Sequence, residues 1–179
     1  MKGLFLLSLL FACTLSSVLA QNINVPASKI SFSVMNRGAV VNGTMLNMKG
    51  TVLFDAKDLN ASSFEASIDP STVNTNSAGR DKHLQKDDFF GANNFPKITI
   101  TSTKISKTAK GYLAQASLQI RDITTPIEIP FTVKTNADNQ QILEGELQVD
   151  RIEYKLGEKI DKKSIGFEVD VQISCVVDL

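Results

Sequence analysis

A period of two in side-chain polarity runs through nearly the whole chain, and no other feature restricts its fold as much. Phe167, Val169, Val171, Ile173 and Cys175 alternate with Glu168, Asp170, Gln172 and Ser174. Ile30, Phe32 and Val34 alternate with Ser31 and Ser33, and Phe64, Ala66 and Ile68 with Glu65, Ser67 and Asp69. Ile98 and Ile100 follow, then Ala114, Ala116, Leu118 and Ile120, then Ile127, Ile129, Phe131 and Val133. Leu143, Gly145, Leu147 and Val149 complete the set against Glu144, Glu146 and Gln148. Successive side chains of a strand point to opposite faces, so each run reads as a strand with one dry and one wet face.

Turn signals at Lys49-Gly50, Asp58 to Ser63, Lys110-Gly111 and Asn136 to Asn139 separate the runs. The result is an all-β antiparallel domain of roughly seven to nine strands, arranged as a sandwich or a closed barrel. A barrel of about eight strands can hold an apolar ligand, whereas a sandwich fills its interior with its own side chains. Alternation does not choose between them. The small dry-face residues Ala66, Ala114, Ala116 and Gly145 fit either a lumen or the interdigitation of Phe32, Phe54 and Phe131.

Lys2, the apolar run Leu4 to Ala12 and the small residues up to Ala20 read as a secretory signal peptide over residues 1–20, cleaved after Val18-Leu19-Ala20. A second reading takes Leu10-Phe11-Ala12-Cys13 as a lipoprotein signal, with the protein anchored through an acylated Cys13. The domain, residues 21–179, is expected in the periplasm or outside the cell. Lys+Arg and Asp+Glu each number 19, and removing Lys2 with the leader leaves one more acid than base. With no basic run, nucleic acid is not the expected partner. Cys175 is the only cysteine after the leader, which forbids an internal disulfide, and its place on a dry strand face reads as a small hydrophobe rather than a nucleophile.

Catalytic patterns are missing. His83 is the only histidine, and there is no His-Glu-x-x-His, Gly-x-Ser-x-Gly or cysteine pair. Asp87 and Asp88 read as solvated acids. The chain is therefore expected not to be an enzyme and to hold no metal.

The stretch "RDKHLQKDDFFGANNFPKITITSTKI" is similar to the signature of the YceI-like family: Arg-Asp-x-His-Leu, Phe-Phe, an aromatic-Pro-x-Ile and Ser-Thr. Arg80, Asp81, His83, Leu84, Phe89, Phe90, Phe95, Pro96, Ile98, Ser102 and Thr103 carry the match. Upstream, Phe32, Val34, Gly38, Gly43, Gly50 and Asp55 resemble the family's first hairpin, and "SIDPSTVNTNSAGRD" and "ASLQIRDITTPIEIPF" resemble later segments, so the likeness covers residues 29–177. Two departures stand out. Asn36 replaces a histidine common after the first strand, which changes the polar groups at the mouth, and Asp122 replaces a glycine after Ile-Arg, which implies an altered turn.

The resemblance implies a lipocalin-like extended β-barrel of about eight strands. It also implies an apolar lipid ligand, a polyisoprenoid or isoprenoid quinone, held for carriage, storage or scavenging. No cofactor is expected beyond that lipid. On this reading the lumen candidates are Phe32, Val34, Phe54, Ile98, Ile100, Leu118, Ile120, Ile129, Phe131, Phe167 and Val169. The long connection between strands ending near Asp69 and starting near Pro96 is expected to hold one short helix, from Gly79 to about Asp88 and capped by Ser77.

That helix would place Arg80, His83, Leu84 and Asp87 on one face, pair His83 with Asp87, and let Leu84, Phe89 and Phe90 plug one side of the barrel. Arg80, Asp81 and His83 are expected to latch the connection, or to touch a polar lipid head. Asn36 belongs to the mouth. Arg151, Glu153, Tyr154 and Gly157 resemble a second family segment, with Tyr154 as a gate on a solvated rim loop. The rival reading is an interaction module with a packed β core that binds a protein or forms a homodimer. Peripheral membrane contact is compatible with either.

Overall fold

Each alternating run is a strand of one antiparallel sheet. The computed structural model describes residues 20–178. The expected leader, apart from Ala20, and Cys13 lie outside the described residues. The strands are β1 (Gln21–Asn22), β2 (Lys29–Asn36), β3 (Ala39–Met45), β4 (Lys49–Leu53) and β5 (Ser63–Ile68), then β6 (Ile98–Thr108), β7 (Gly111–Ile120), β8 (Ile123–Thr135), β9 (Gln140–Asp150) and β10 (Ile165–Asp178). One α-helix among the described residues, α1 (Ala78–Leu84), interrupts the connection from β5 to β6.

The strand order is β1-β4-β5-β6-β7-β8-β9-β10-β2-β3. Residues 21–24 join two parts of this order. Gln21 and Asn22 pair with Val52 and Thr51 of β4, and the Ile23 N–H donates to the Gly50 carbonyl at 3.0 Å. Ile23 then bridges Val177 of β10, and the Asn24 N–H donates to the Val176 carbonyl at 2.7 Å. At this end β1 and β4 to β10 form a ring. At the other end β2 and β3 continue the sheet outward from β10, so the ten strands make a half-barrel, closed at one end and splayed at the other.

The splay has a second cause. The β8–β9 ladder stops at Phe131 and Gly145, although both strands run on. Residues 151–164 fill the gap, where Tyr154 and Leu156 pack with Phe89, Leu118, Ile120 and Val149. The closed end has an aromatic floor: the Phe54 ring meets Tyr112 edge-on at 4.9 Å and Phe131 at 6.0 Å.

Local details depart from the sequence expectation in three places. The helix spans Ala78–Leu84 instead of reaching Asp88, because the chain folds back after it: the Phe90 N–H donates to the Leu84 carbonyl and the Ala92 N–H to that of Gln85. Ser77 occupies the N-cap position but makes no side-chain cap bond. The turn expected at Lys49-Gly50 falls inside β4, where Gly50 adopts φ +145° and an added Cβ would lie 2.0 Å from the Glu65 carbonyl oxygen. Only glycine allows β5 to approach that closely. At the β7–β8 turn the positive φ falls on Arg121, at 58°, and not on Asp122, so the turn does not require glycine at 122.

Gly50→Ala is therefore expected to strain β4 and push it from β5, at a cost of about 1–3 kcal/mol. For a chain of this length that lowers Tm by roughly 2–12 °C, read by thermal unfolding.

Candidate functional site

Inward-facing residues of β2, β6, β7, β8 and β10 enclose a cavity of about 760 Å³. Phe32 and Val34 line it from β2, Ile98 and Ile100 from β6, and Leu118 and Ile120 from β7. Ile129 and Phe131 on β8 and Val169 on β10 complete the expected set, with Val171, Ile173 and Cys175 continuing the β10 wall. Small residues divide: Ala66 and Gly145 line the cavity, while Ala114 and Ala116, on the same face of β7 as Leu118 and Ile120, are buried and do not line it. Gly43 has a defined task, since a Cβ there would lie 2.2 Å from the Phe32 ring, which covers it across the β2–β3 pair. The interior is not filled by its own side chains, contrary to the packed-core reading.

Two expected lumen residues are not in the wall. Phe54 belongs to the aromatic floor below the cavity. Phe167 does not line the cavity, although the Arg151 backbone N–H donating to its carbonyl at 2.9 Å keeps it in the β9–β10 register that pairs Val169 with Val149. The ring lies under the Arg151 guanidinium at 5.3 Å and the Lys162 ammonium at 5.6 Å.

Polar groups gather at the splayed end, where Asn36, Arg37, Thr75, Arg80, His83 and Ser164 line the cavity with Leu84, Phe89 and Phe90. Arg80 donates through Nε to Thr75 Oγ1 at 2.7 Å and through Nη2 to the Thr75 carbonyl at 2.9 Å. The Asp81 carboxylate accepts the Thr75 N–H at 2.9 Å and the Thr75 hydroxyl. Asp81 thus stays outside the cavity wall and pins the start of the helix to the segment that precedes it. His83 pairs with Asp88 at 2.7 Å rather than with Asp87, because the short helix turns away before residue 87. Asp87 instead accepts the Asn94 amide at 3.1 Å. Both partners of the His83–Asp88 pair are about half exposed, which limits its worth to about 1 kcal/mol at most.

Tyr154 is not a gate. It is 1% exposed and its hydroxyl bonds to Thr125 Oγ1, and burial raises its pKa against the opposing effect of that hydrogen bond. The loop around it is not merely solvated, because Arg151 organises it. Arg151 is 3% exposed and directs its N–H groups at five backbone carbonyls: Gly166 at 2.9 Å, Leu156 and Gly157 at 2.7 Å, Ile160 at 2.8 Å and Ile165 at 2.9 Å. Guanidinium has five N–H donors, so its donor set is filled. Desolvation lowers its pKa, countered by the charges of Asp150 and Asp161. The sequence contained a signal for this residue: Arg151 continues the dry phase of Leu143, Gly145, Leu147 and Val149, an anomalous position for a charge.

A half-barrel with an apolar lumen and a polar mouth defines a lipocalin-like β-barrel. The chain belongs to the YceI-like domain family, whose sequence profile matches residues 22–177. Among curated proteins, Protein YceI of Salmonella arizonae is 29% identical over 111 residues, 62% of this chain and 58% of the relative. The chain spans about half the length of the curated relatives it matches, 45% and 58% in two cases. Among solved structures, Burkholderia cenocepacia BcnA superposes with a TM-score of 0.79 at 23% identity, over 86% of this chain and 98% of that one. A polyisoprenoid binding domain from Saccharophagus degradans, implicated in plant cell wall breakdown, superposes with a TM-score of 0.72 at 17% identity, over 89% and 98%. At these identities the likeness is one of fold.

Two outcomes are expected. Arg151→Met leaves several buried carbonyls without donors and should cost at least about 3 kcal/mol. The corresponding fall in Tm is roughly 6–12 °C, and a change under about 2 °C would show that the loop does not depend on Arg151. Burial pushes the Cys175 thiol up to about 12, so iodoacetamide at pH 8 should leave it unmodified in the native protein and alkylate it in denaturant. The unfolded thiol ionises near about 8.5, so the stability it contributes is complete below that pH and is lost as pH rises toward 12.

Proposed function

We propose that this protein is a non-catalytic carrier or scavenger that holds one long apolar lipid of the isoprenoid type in its lumen. The single observation behind the reading is the unfilled, apolar-walled cavity of about 760 Å³. Its volume is within the roughly 300–1,000 Å³ typical of ligand sites. Membership of the YceI-like family and the fold shared with a polyisoprenoid binding domain support the same choice.

The energetics are favourable. At about 0.8 kcal/mol per buried CH₂, each five-carbon isoprene unit contributes up to about 4 kcal/mol before the losses of chain ordering. A lipid of this kind is nearly insoluble, and a protein that encloses its tail removes that obstacle to movement through water. The leader expected in residues 1–20 supports carriage outside the cytoplasm. Cys13 would make the protein a tethered form of the same carrier.

Native mass spectrometry of the protein exported from a bacterial host, followed by extraction, is expected to show a stoichiometric isoprenoid or quinone adduct on a chain beginning at Gln21. Ile100→Asp places a carboxylate in the apolar wall and should abolish the adduct while the protein remains folded. Folded wild-type protein that carries no lipid and takes up no added isoprenoid would sink the reading.

A further inference from the structure

Three large apolar side chains stand exposed among the described residues: Met35 at 47%, Val40 at 61% and Leu46 at 49%. Single exposed apolar residues scattered over a surface are ordinary. Leu46 is one of these, just past the far end of β3. Met35 and Val40 are different, because the β2–β3 register sets them directly opposite each other. They share the hairpin face that points away from the lumen, since the adjacent pair, Val34 with Val41, lines the cavity. β3 is the last strand in the sheet order, and its bridge from Thr44 to Asn74 lies farther down the strand, so no strand covers the outer flank of Val40.

The apolar cover stops one row from this pair. Down the same face the next pairs are Ser33 with Asn42 and Ser31 with Thr44, and β10 sets Asp170 and Gln172 beside the two serines. The apex is a two-residue turn, Arg37 and Gly38, with φ of 49° and 82°, the conformation that closes a hairpin tightly. Met35 lies two residues from Arg37, about 7 Å along the strand. The tip is therefore apolar on both faces over that length and polar on its outer face beyond it. That is a gradient of depth, whereas an ordinary surface strand is divided from side to side.

The tip also stands at the mouth. Asn36 and Arg37 line the cavity, and the Arg37 backbone N–H donates to the Ser164 carbonyl at 3.1 Å, which ties the apex to the loop of residues 151–164. Exposed in that loop before Ser164 are Lys159, Lys162 and Lys163, with Glu158 and Asp161. Lys162 pairs with Glu168, and the Asp161 carboxylate accepts the Ser164 hydroxyl at 2.8 Å and the Lys163 backbone N–H at 2.9 Å. Arg37, Lys159 and Lys163 belong to none of the ion pairs among the described residues. Beside an apolar tip they leave a small excess of positive charge.

Resting on the lipid-carrier reading, we propose that the tip of the β2–β3 hairpin docks the protein on a bilayer with anionic head groups. Met35 and Val40 enter the acyl boundary, and the open end of the lumen comes against the lipid surface. A lipid that is nearly insoluble in water has to pass between bilayer and lumen without crossing solvent, and a rim that inserts provides that passage. Interfacial elements sink their apolar face about 5–10 Å into the head-group and acyl boundary, a depth that the apolar length of this tip matches. Long cationic side chains keep their heads at the polar surface while their stems lie along apolar surroundings, which suits Arg37, Lys159 and Lys163 to the lipid phosphates. Full burial of one apolar side chain is worth about tenfold to a hundredfold in partitioning. Two such side chains give the weak, reversible attachment that a carrier needs in order to leave again.

The chain contains no tryptophan, so a single introduced one reports its own surroundings. Delipidated mature protein carrying Val40→Trp is mixed with vesicles of phosphatidylethanolamine and phosphatidylglycerol, beside a control carrying Gln115→Trp on the exposed face of β7. The expected result is a blue shift of the Val40→Trp emission and its quenching by brominated acyl chains, with neither in Gln115→Trp. Flotation of protein without tryptophan should fall at least about tenfold with the double substitution Met35→Ser and Val40→Ser, and severalfold in high salt or on vesicles of phosphatidylcholine alone. Both side chains are exposed and outside the cavity wall, so the double variant should keep its Tm and still fill from detergent-dispersed isoprenoid. Wild-type protein that fills from detergent but does not float would overturn the docking and leave the carrier intact. Protein that takes up no isoprenoid from detergent would overturn the carrier reading, whatever the flotation shows. Flotation unchanged by the double variant would overturn the role of the tip. A concentration-dependent dimer that the double variant abolishes, with no vesicle binding, would overturn the docking by assigning the tip to a second copy of the chain.

Discussion

A sheet that encloses an unfilled interior has no packed core across its middle to hold its walls in place. Side chains facing a cavity lack contact atoms on one side and lose the dispersion energy those atoms would supply. The walls therefore depend on the main-chain ladder and on the two ends. Residues 21–24 make the ladder continuous at the closed end by bonding to β4 on one side and β10 on the other. These few main-chain bonds convert an open sheet into a ring at the closed end.

The ends then divide the work. At the closed end, Phe54 meets Tyr112 and Phe131 edge-on while those two rings lie tilted against each other, which makes a floor. The splayed end has no such floor, and two irregular connections meet there: the Gly157 N–H donates to the Asp88 carbonyl at 2.7 Å. Each connection has a polar organiser on its inside. Arg151 gathers the carbonyls of residues 156–166, and the Arg80–Thr75–Asp81 network fixes the approach to α1. Irregular backbone with few ladder partners must satisfy its carbonyls and amides some other way, and guanidinium groups do so with several donors at once.

The family signature is legible in the same terms. Arg80 and Asp81 hold Thr75 from two sides, Leu84, Phe89 and Phe90 wall the mouth, and Ser102 accepts the Phe64 N–H at 2.8 Å where β6 bulges away from its regular register. These residues build the open end.

What the sequence determined by itself was the set of strands and which face of each is dry, because the side-chain period of two is a local property of extended backbone. Phe32, Val34, Ile98, Ile100, Leu118, Ile120, Ile129, Phe131 and Val169 face the cavity for that reason. Only the tertiary structure decided what broke the period or joined distant segments. The Arg151 guanidinium covers the Phe167 ring, Phe54 packs against Tyr112 in the floor at the opposite end, and a stalled β8–β9 ladder leaves room for Tyr154 to meet Thr125. Arg151 was visible as an anomaly in phase, yet its five acceptors span residues 156–166 and exist only once that loop has closed around it. Alternation along one strand records which side faces inward. Whether the inside is filled is settled by the closure of all the strands together, and no single strand contains that information.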